Sequence, residues 1–195
     1  MSDHKMRKLI GFAAIIGPGL HLLSDIMEVW SGKFSDAQLS INYVAFLIIP
    51  YMILGLHSIQ RKRGGWISFW GAVLYGFSFI FFTGTTLFAL FQSTSDYSRL
   101  WEELGLIYTA HGILMIVGGL MFSISVIRAR IFPQMTGFIL LFGLCINLLV
   151  GVLGTAEIFQ IVGSTFRNIA FISMGFALFL HPKFRNFPVT ENAES

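Results

Sequence analysis

From Leu9 to His181 the chain is a succession of apolar runs, each about as long as a bilayer is thick, joined by connectors too short for parallel neighbours. The runs cover 9–31, 41–60, 66–92, 104–127, 133–154 and 157–181. Each reaches or exceeds the roughly 20 residues that cross ~30 Å of hydrocarbon. Between them lie SGKFSDAQLS, RKRGG, STSDYSRLWEE, RARIFPQ and a brief link around GTAE. The pattern predicts an all-α integral membrane protein, a six-transmembrane-helix up-down bundle. One domain is expected over 1–182, followed by a polar tail, 183–195, expected to be disordered. Composition agrees: 55% of residues are hydrophobic and 12% charged, leaving too little charge to clothe a water-soluble core.

Basic residues orient the bundle. Lys5, Arg7, Lys8, Arg61, Lys62, Arg63, Arg128, Arg130, Lys183 and Arg185 fall on one side; only Lys33 and Arg99 fall on the other. The strict alternation puts both termini in the cytosol. Trp30, Trp66 and Trp101 stand at span ends, where interfacial belts form. The expected location is a membrane crossed several times, the plasma (cytoplasmic) membrane of a prokaryote. The N-terminus lacks the small-residue cleavage pattern of a signal peptide.

Several chemistries are excluded. The lone Cys145 supports neither a disulfide framework nor a thiolate metal site. No glycine-rich phosphate loop, nucleophile elbow or basic face outside span ends is present, so nucleic acid is not an expected partner. A 67-residue shift superimposes Ser58 on Ser125, Arg61 on Arg128, Arg63 on Arg130 and Gly76 on Gly143. Two basic turns between apolar helices produce much of this match by themselves, and no function rests on it.

The residues that demand explanation are polar ones inside the spans. At ~100° per residue, His21, Ser24, Asp25 and Glu28 share one stripe of the first span with Gly17. Glu157, Gln160, Ser164, Arg167 and Asn168 form another in the sixth. The fourth adds Tyr108 and His111, the third Thr83 and Thr86, the fifth Asn147. Such stripes face a bundle interior or a water-filled cavity. Counting ~1.5 Å per residue, Asp25, His111 and Asn147 lie roughly 8–10 Å below the outer surface, His21 and Arg167 near the midplane. The inner half is nearly bare except for His57 and Ser58. The stripes therefore predict one outward-opening pocket.

Plainer roles compete. Asp25 and Arg167 can simply neutralise one another, because a buried charge left alone costs several kcal/mol. Glu28 and Glu157 can be interfacial residues in water, and His57 a head-group contact. Tyr108, Thr83, Thr86 and Asn147 suit interhelical hydrogen bonds, and the glycine pairs Gly71–Gly76 and Gly118–Gly119 suit close helix packing. Pro18 is expected to bend the first helix.

The favoured function is an enzyme acting on a lipophilic or amphipathic small molecule by acid–base chemistry, isomerase- or cyclase-like. Asp25, His21 and His111 are the candidate catalytic groups. Glu28, Tyr108, Asn147, Glu157, Gln160, Arg167, Asn168, Thr83 and Thr86 are the candidate substrate contacts, with Arg167 the counter-charge. An alternative is a small-molecule, ion- or proton-coupled transporter, or a ligand-binding membrane protein, small enough that it would need to oligomerise. A third is a metal site built from His21, Asp25, His111 and Glu157, or haem between the two histidines; a purely structural subunit is a fourth. The favoured reading needs no cofactor, and its partners are membrane lipids and the small molecule itself.

Overall fold

The computed structural model describes residues 3–153 and 158–180. Glu157 and the tail 183–195, both assigned roles above, lie outside the described residues. Six helices follow one another: α1 (Asp3–Ser31), α2 (Asp36–Gln92), α3 (Tyr97–Leu104), α4 (Leu106–Ala129), α5 (Gln134–Leu153) and α6 (Ile158–Leu180). Among the described residues there is no strand. All but α3 are long and apolar enough to cross a membrane.

At 57 residues, α2 would measure ~86 Å if straight, nearly three hydrocarbon thicknesses. It is not straight. Gly65 leaves helical geometry at φ 56°, ψ −154°, a conformation that only glycine adopts cheaply. The arms on either side, 36–64 and 66–92, fold back on each other. His57 Nδ1 meets Ser68 Oγ at 2.8 Å near the bend, and the Phe46 ring packs on Phe79 and Phe82 toward the open end. The expected connector RKRGG is thus helical up to its last glycine.

Neighbouring helices alternate in direction around a closed ring. α1 packs on α2 and α6, α2 on α4, α4 on α5, and α5 on α6. Residue pairs give the sense of each contact. Gly11 lies against Gly175 while Ser164 bonds Asp25, so α1 and α6 are antiparallel. Gly71 meets Phe122 while Phe82 meets His111, so the second arm of α2 and α4 are antiparallel. The ring admits no side chain at the seam of α2 and α4: a Cβ on Gly118 would stand 2.5 Å from the Tyr75 backbone nitrogen and 3.0 Å from the Gly71 carbonyl oxygen.

The molecule is inverted relative to a water-soluble domain. Phe12, Ile26, Leu47, Phe77, Ile80, Ile113, Phe138, Phe142 and Phe176 are exposed, whereas His21, Asp25, Gln38, Asn42, Gln60, Arg167 and Asn168 are buried. An apolar exterior, with polar groups held inside beside a largely apolar core, is the arrangement that lipid favours and water does not. α1 continues as a helix through Pro18.

Two features depart from the sequence reading. The connector STSDYSRLWEE contains α3, started by Asp96, whose carboxylate accepts from the Arg99 backbone N–H at 2.9 Å. Leu100 is buried with Phe34, Leu39 and Ala89, and Tyr97 and Tyr108 pack on that cluster. α3 is therefore a roof over the end of the ring opposite the bend of α2. The half near that bend, expected to be nearly bare, also holds polar groups, for Gln60 Nε2 donates to both Ser68 Oγ and Ser125 Oγ at 2.9 Å. That cluster ties the bend of α2 to α4.

Candidate functional site

A cavity of about 60 Å3 lies inside the ring beneath α3. On a scale of ~10–15 Å3 per water it has room for a handful of waters, or for a few heavy atoms of a ligand. His21, Asp25, Asn42, Gln160, Ser164 and Arg167 supply polar groups to its wall, and Thr85, Thr86, Tyr97 and Tyr108 add hydroxyls toward the roof. Phe34, Phe46, Phe79 and Phe82 supply the rings.

Asp25 is buried, and Ser164 on α6 donates its hydroxyl to Oδ2. His21 stands one turn earlier on α1, its Nε2 3.6 Å from Asp25 Oδ1, just beyond hydrogen-bond range. The imidazole is held edge-on to Phe46, at 4.9 Å between centroids, and to Phe79 at 6.4 Å. The buried Asn168 side chain of α6 also interacts with the imidazole.

Arg167 does not pair with Asp25. Its Nη1 donates to the Tyr75 hydroxyl at 3.3 Å and lies 2.8 Å from Met115 Sδ. Its Nε has no partner among the described residues, and the side chain is only 4% exposed. A guanidinium buried this far normally meets a carboxylate. Here the hydrogen-bond partners among the described residues are a phenol and a thioether, and the guanidinium lines the same cavity as the Asp25 carboxylate. What brings it there is the approach of α5 to α6: a Cβ on Gly143 would stand 2.6 Å from the Gly163 carbonyl oxygen and 3.0 Å from the Arg167 nitrogen.

The remaining candidates divide. Tyr108, Thr86 and Gln160 line the cavity. His111 does not; its Nδ1 faces the Ile107 carbonyl oxygen at 2.8 Å, and its ring packs on Phe82 and Tyr108, which do line it. Asn147 is buried at the α5–α6 seam, donating to the Gln160 carbonyl oxygen at 3.0 Å and to Oε1 at 3.1 Å. Thr83 bonds back to the Phe79 carbonyl oxygen at 2.8 Å, and Asn168 is buried outside the lining. Glu28 is not an interfacial residue in water. It is buried, accepts from Gln38 Nε2 and Tyr97 Oη at 3.2 Å each, and fastens α1 to the start of α2 and to the roof. Burial first, and then this carboxylate, hold the Tyr97 phenol well above its ordinary pKa.

Sequence reasoning missed Asn42, Thr85, Tyr75 and Ser164 as functional groups. Ser164 was visible as a member of the α6 stripe. Asn42 and Tyr75 both lie on α2, in the two arms that flank Gly65, each among mostly apolar neighbours. Among the described residues no three of His, Cys, Asp or Glu gather as a metal shell would require, so the geometry adds nothing to the metal reading. No protein-family model, curated protein or solved structure matches this chain.

Proposed function

We propose that this is a six-span membrane enzyme with both termini in the cytosol, which moves a proton on the head group of a lipophilic or amphipathic molecule. One observation carries the reading: His21, Asp25 and the buried guanidinium of Arg167 line the same ring-walled cavity. The six crossings follow from reading each arm of α2 as one span, and the orientation from the basic residues.

In this mechanism the Asp25 carboxylate is the base. Ser164 fixes its Oδ2, which leaves Oδ1 as the reacting oxygen. His21 closes its 3.6 Å gap to relay or return the proton when a ligand displaces water. Arg167 holds the head group. The cavity takes only a small head, so an apolar tail must extend past the rings toward the roof or into lipid. Exclusion of bulk water under α3 strengthens every charge interaction inside.

The test is an untargeted one. Purified protein in nanodiscs is incubated in D2O with a total lipid extract, and mass spectrometry follows which lipophilic species gain deuterium at carbon. Wild type is expected to label at least one species, and Asp25→Asn to label none while keeping its thermal transition. Equal labelling by both proteins would rule out Asp25 as the base. Binding of a species without labelling would favour the transport or ligand-binding reading.

A further inference from the structure

The end of the bundle at the bend of α2 carries an arrangement that the proton chemistry does not use. Gln60 Nε2 donates to Ser68 Oγ and Ser125 Oγ, and His57 Nδ1 lies 2.8 Å from Ser68 Oγ. All four side chains are buried. They lock together the end of the first arm of α2, the start of the second and the last turns of α4. Cations stand on this clamp. Arg61 follows Gln60, Arg63 stands two residues before Gly65, and Arg128 stands one turn after Ser125; all three are exposed. The buried hydrogen bonds thus fix the helix ends that bear the three guanidiniums.

The charge at this end is one-sided. Lys5, Lys8 and Arg130 are exposed there too. Arg7, one turn from the Ile10 that packs on Gly55, is buried, and its Nη2 donates to His4 Nδ1 at 2.9 Å rather than to a carboxylate. Beyond Asp3 at the tip of α1, the described carboxylates are Asp25, Glu28, Asp36, Asp96, Glu102 and Glu103, all toward the roof.

Below the cations, the second arm of α2 turns rings outward. Trp66, Trp70, Phe77 and Phe81 are exposed and recur at intervals of four, seven and four, one face of a helix. Phe69 joins the two tryptophans edge-on, at 5.8 and 5.3 Å between centroids, and Phe77 meets Phe81 at 5.0 Å. The rule that cations gather on one membrane face accounts for their side, but not for a clamped turn set above a face of rings. A soluble anion would meet the cations alone, and a neutral lipid the rings alone.

We propose that the bend of α2 and the end of α4 form a binding site for an anionic phospholipid, its phosphate on Arg61, Arg63 and Arg128 and an acyl chain along the Trp66–Phe81 face. A zwitterionic head fits less well, because its ammonium meets cations where it needs a carboxylate. This site is separate from the cavity and does not depend on the proton transfer proposed there.

Brominated acyl chains, which quench tryptophan emission on contact, read the site directly. In a Trp30→Phe, Trp101→Phe background the emission comes from Trp66 and Trp70. Delipidated protein in neutral detergent is titrated with brominated phosphatidylglycerol or phosphatidylcholine of the same chains, with and without excess glycerol 3-phosphate. Phosphatidylglycerol is expected to bind at least about tenfold more tightly than phosphatidylcholine, and glycerol 3-phosphate not to displace it. Arg61→Gln and Arg128→Gln, both at exposed positions, should each weaken it about tenfold, the loss typical of a hydrogen bond to a charged group, and Lys8→Gln by roughly twofold at most. Equal quenching by the two lipids would overturn the inference. So would equal losses in Arg61→Gln and Lys8→Gln, the mark of a diffuse surface charge. Displacement by glycerol 3-phosphate would give the cations to a soluble phosphate and overturn the lipid assignment.

Discussion

At the scale of single residues, membership of a polar stripe and membership of the cavity are different properties. His21 and Asp25 have both, because their stretch of α1 faces the centre of the ring. Asn147 and His111 were picked by the same rule of polar residues at depth, yet neither lines the cavity: Asn147 bonds the Gln160 carbonyl and side chain, and His111 Nδ1 faces the Ile107 carbonyl. A wheel reports the face of a helix but not which neighbour that face meets. This gives a discriminating prediction. Asn147→Ala should cost about 1–3 kcal/mol of stability through the unpaired Gln160 groups, read as a lower thermal midpoint, while the folded protein keeps wild-type labelling in D2O. Asp25→Asn should do the reverse. Labelling lost in Asn147→Ala at full stability would return that residue to the site.

At the scale of elements, the long helices were legible because bilayer-length apolar runs allow little else. α3 was not, since its eight residues read as a polar connector until Tyr97, Leu100 and Leu104 are seen to fall on one side. Its attachment has a pH dependence with a definite sign. The Arg99 backbone N–H, and then the Ser95 hydroxyl, hold the Asp96 carboxyl below its ordinary range. A depressed folded value means that the stabilisation is complete above the unfolded pKa of about 4 and is lost as pH falls through the lower folded one. Asp96→Ala should cost about 1 kcal/mol as a lost N-cap and abolish that acid step. Emission from Trp101, with Trp30, Trp66 and Trp70 replaced by phenylalanine, would follow it. A step of unchanged size in the variant would place the titrating group elsewhere.

The seams between helices allow a second prediction at this scale. Gly118→Val forces a side chain onto the Tyr75 backbone and should cost about 1–3 kcal/mol or more by overpacking. Because Tyr75 holds Arg167, labelling in D2O should fall with it. Unchanged unfolding and labelling in this variant would show that the seam tolerates expansion.

At the scale of the whole molecule, the account needs α2 to cross the membrane twice. The six runs and the charge alternation read from the sequence already imply it, and the bend at Gly65 supplies the physical means. Cysteines placed singly at Lys62 and Lys33, in a Cys145→Ser background, should label from opposite sides. A membrane-impermeant maleimide should reach position 33 in intact cells and position 62 only after permeabilisation. Labelling of both from outside would collapse the six-span topology and the orientation with it.

The central claim is that the cavity bounded by Asp25, His21 and Arg167 holds one amphipathic molecule. Native mass spectrometry of protein released gently from detergent measures this directly. Beside any phospholipid held at the bend of α2, wild type should carry a single lipophilic adduct at one copy per chain, which Arg167→Gln and the cavity-filling Thr86→Phe both lose. The same adducts in all three proteins would place the bound molecules on the outer surface and contradict the account.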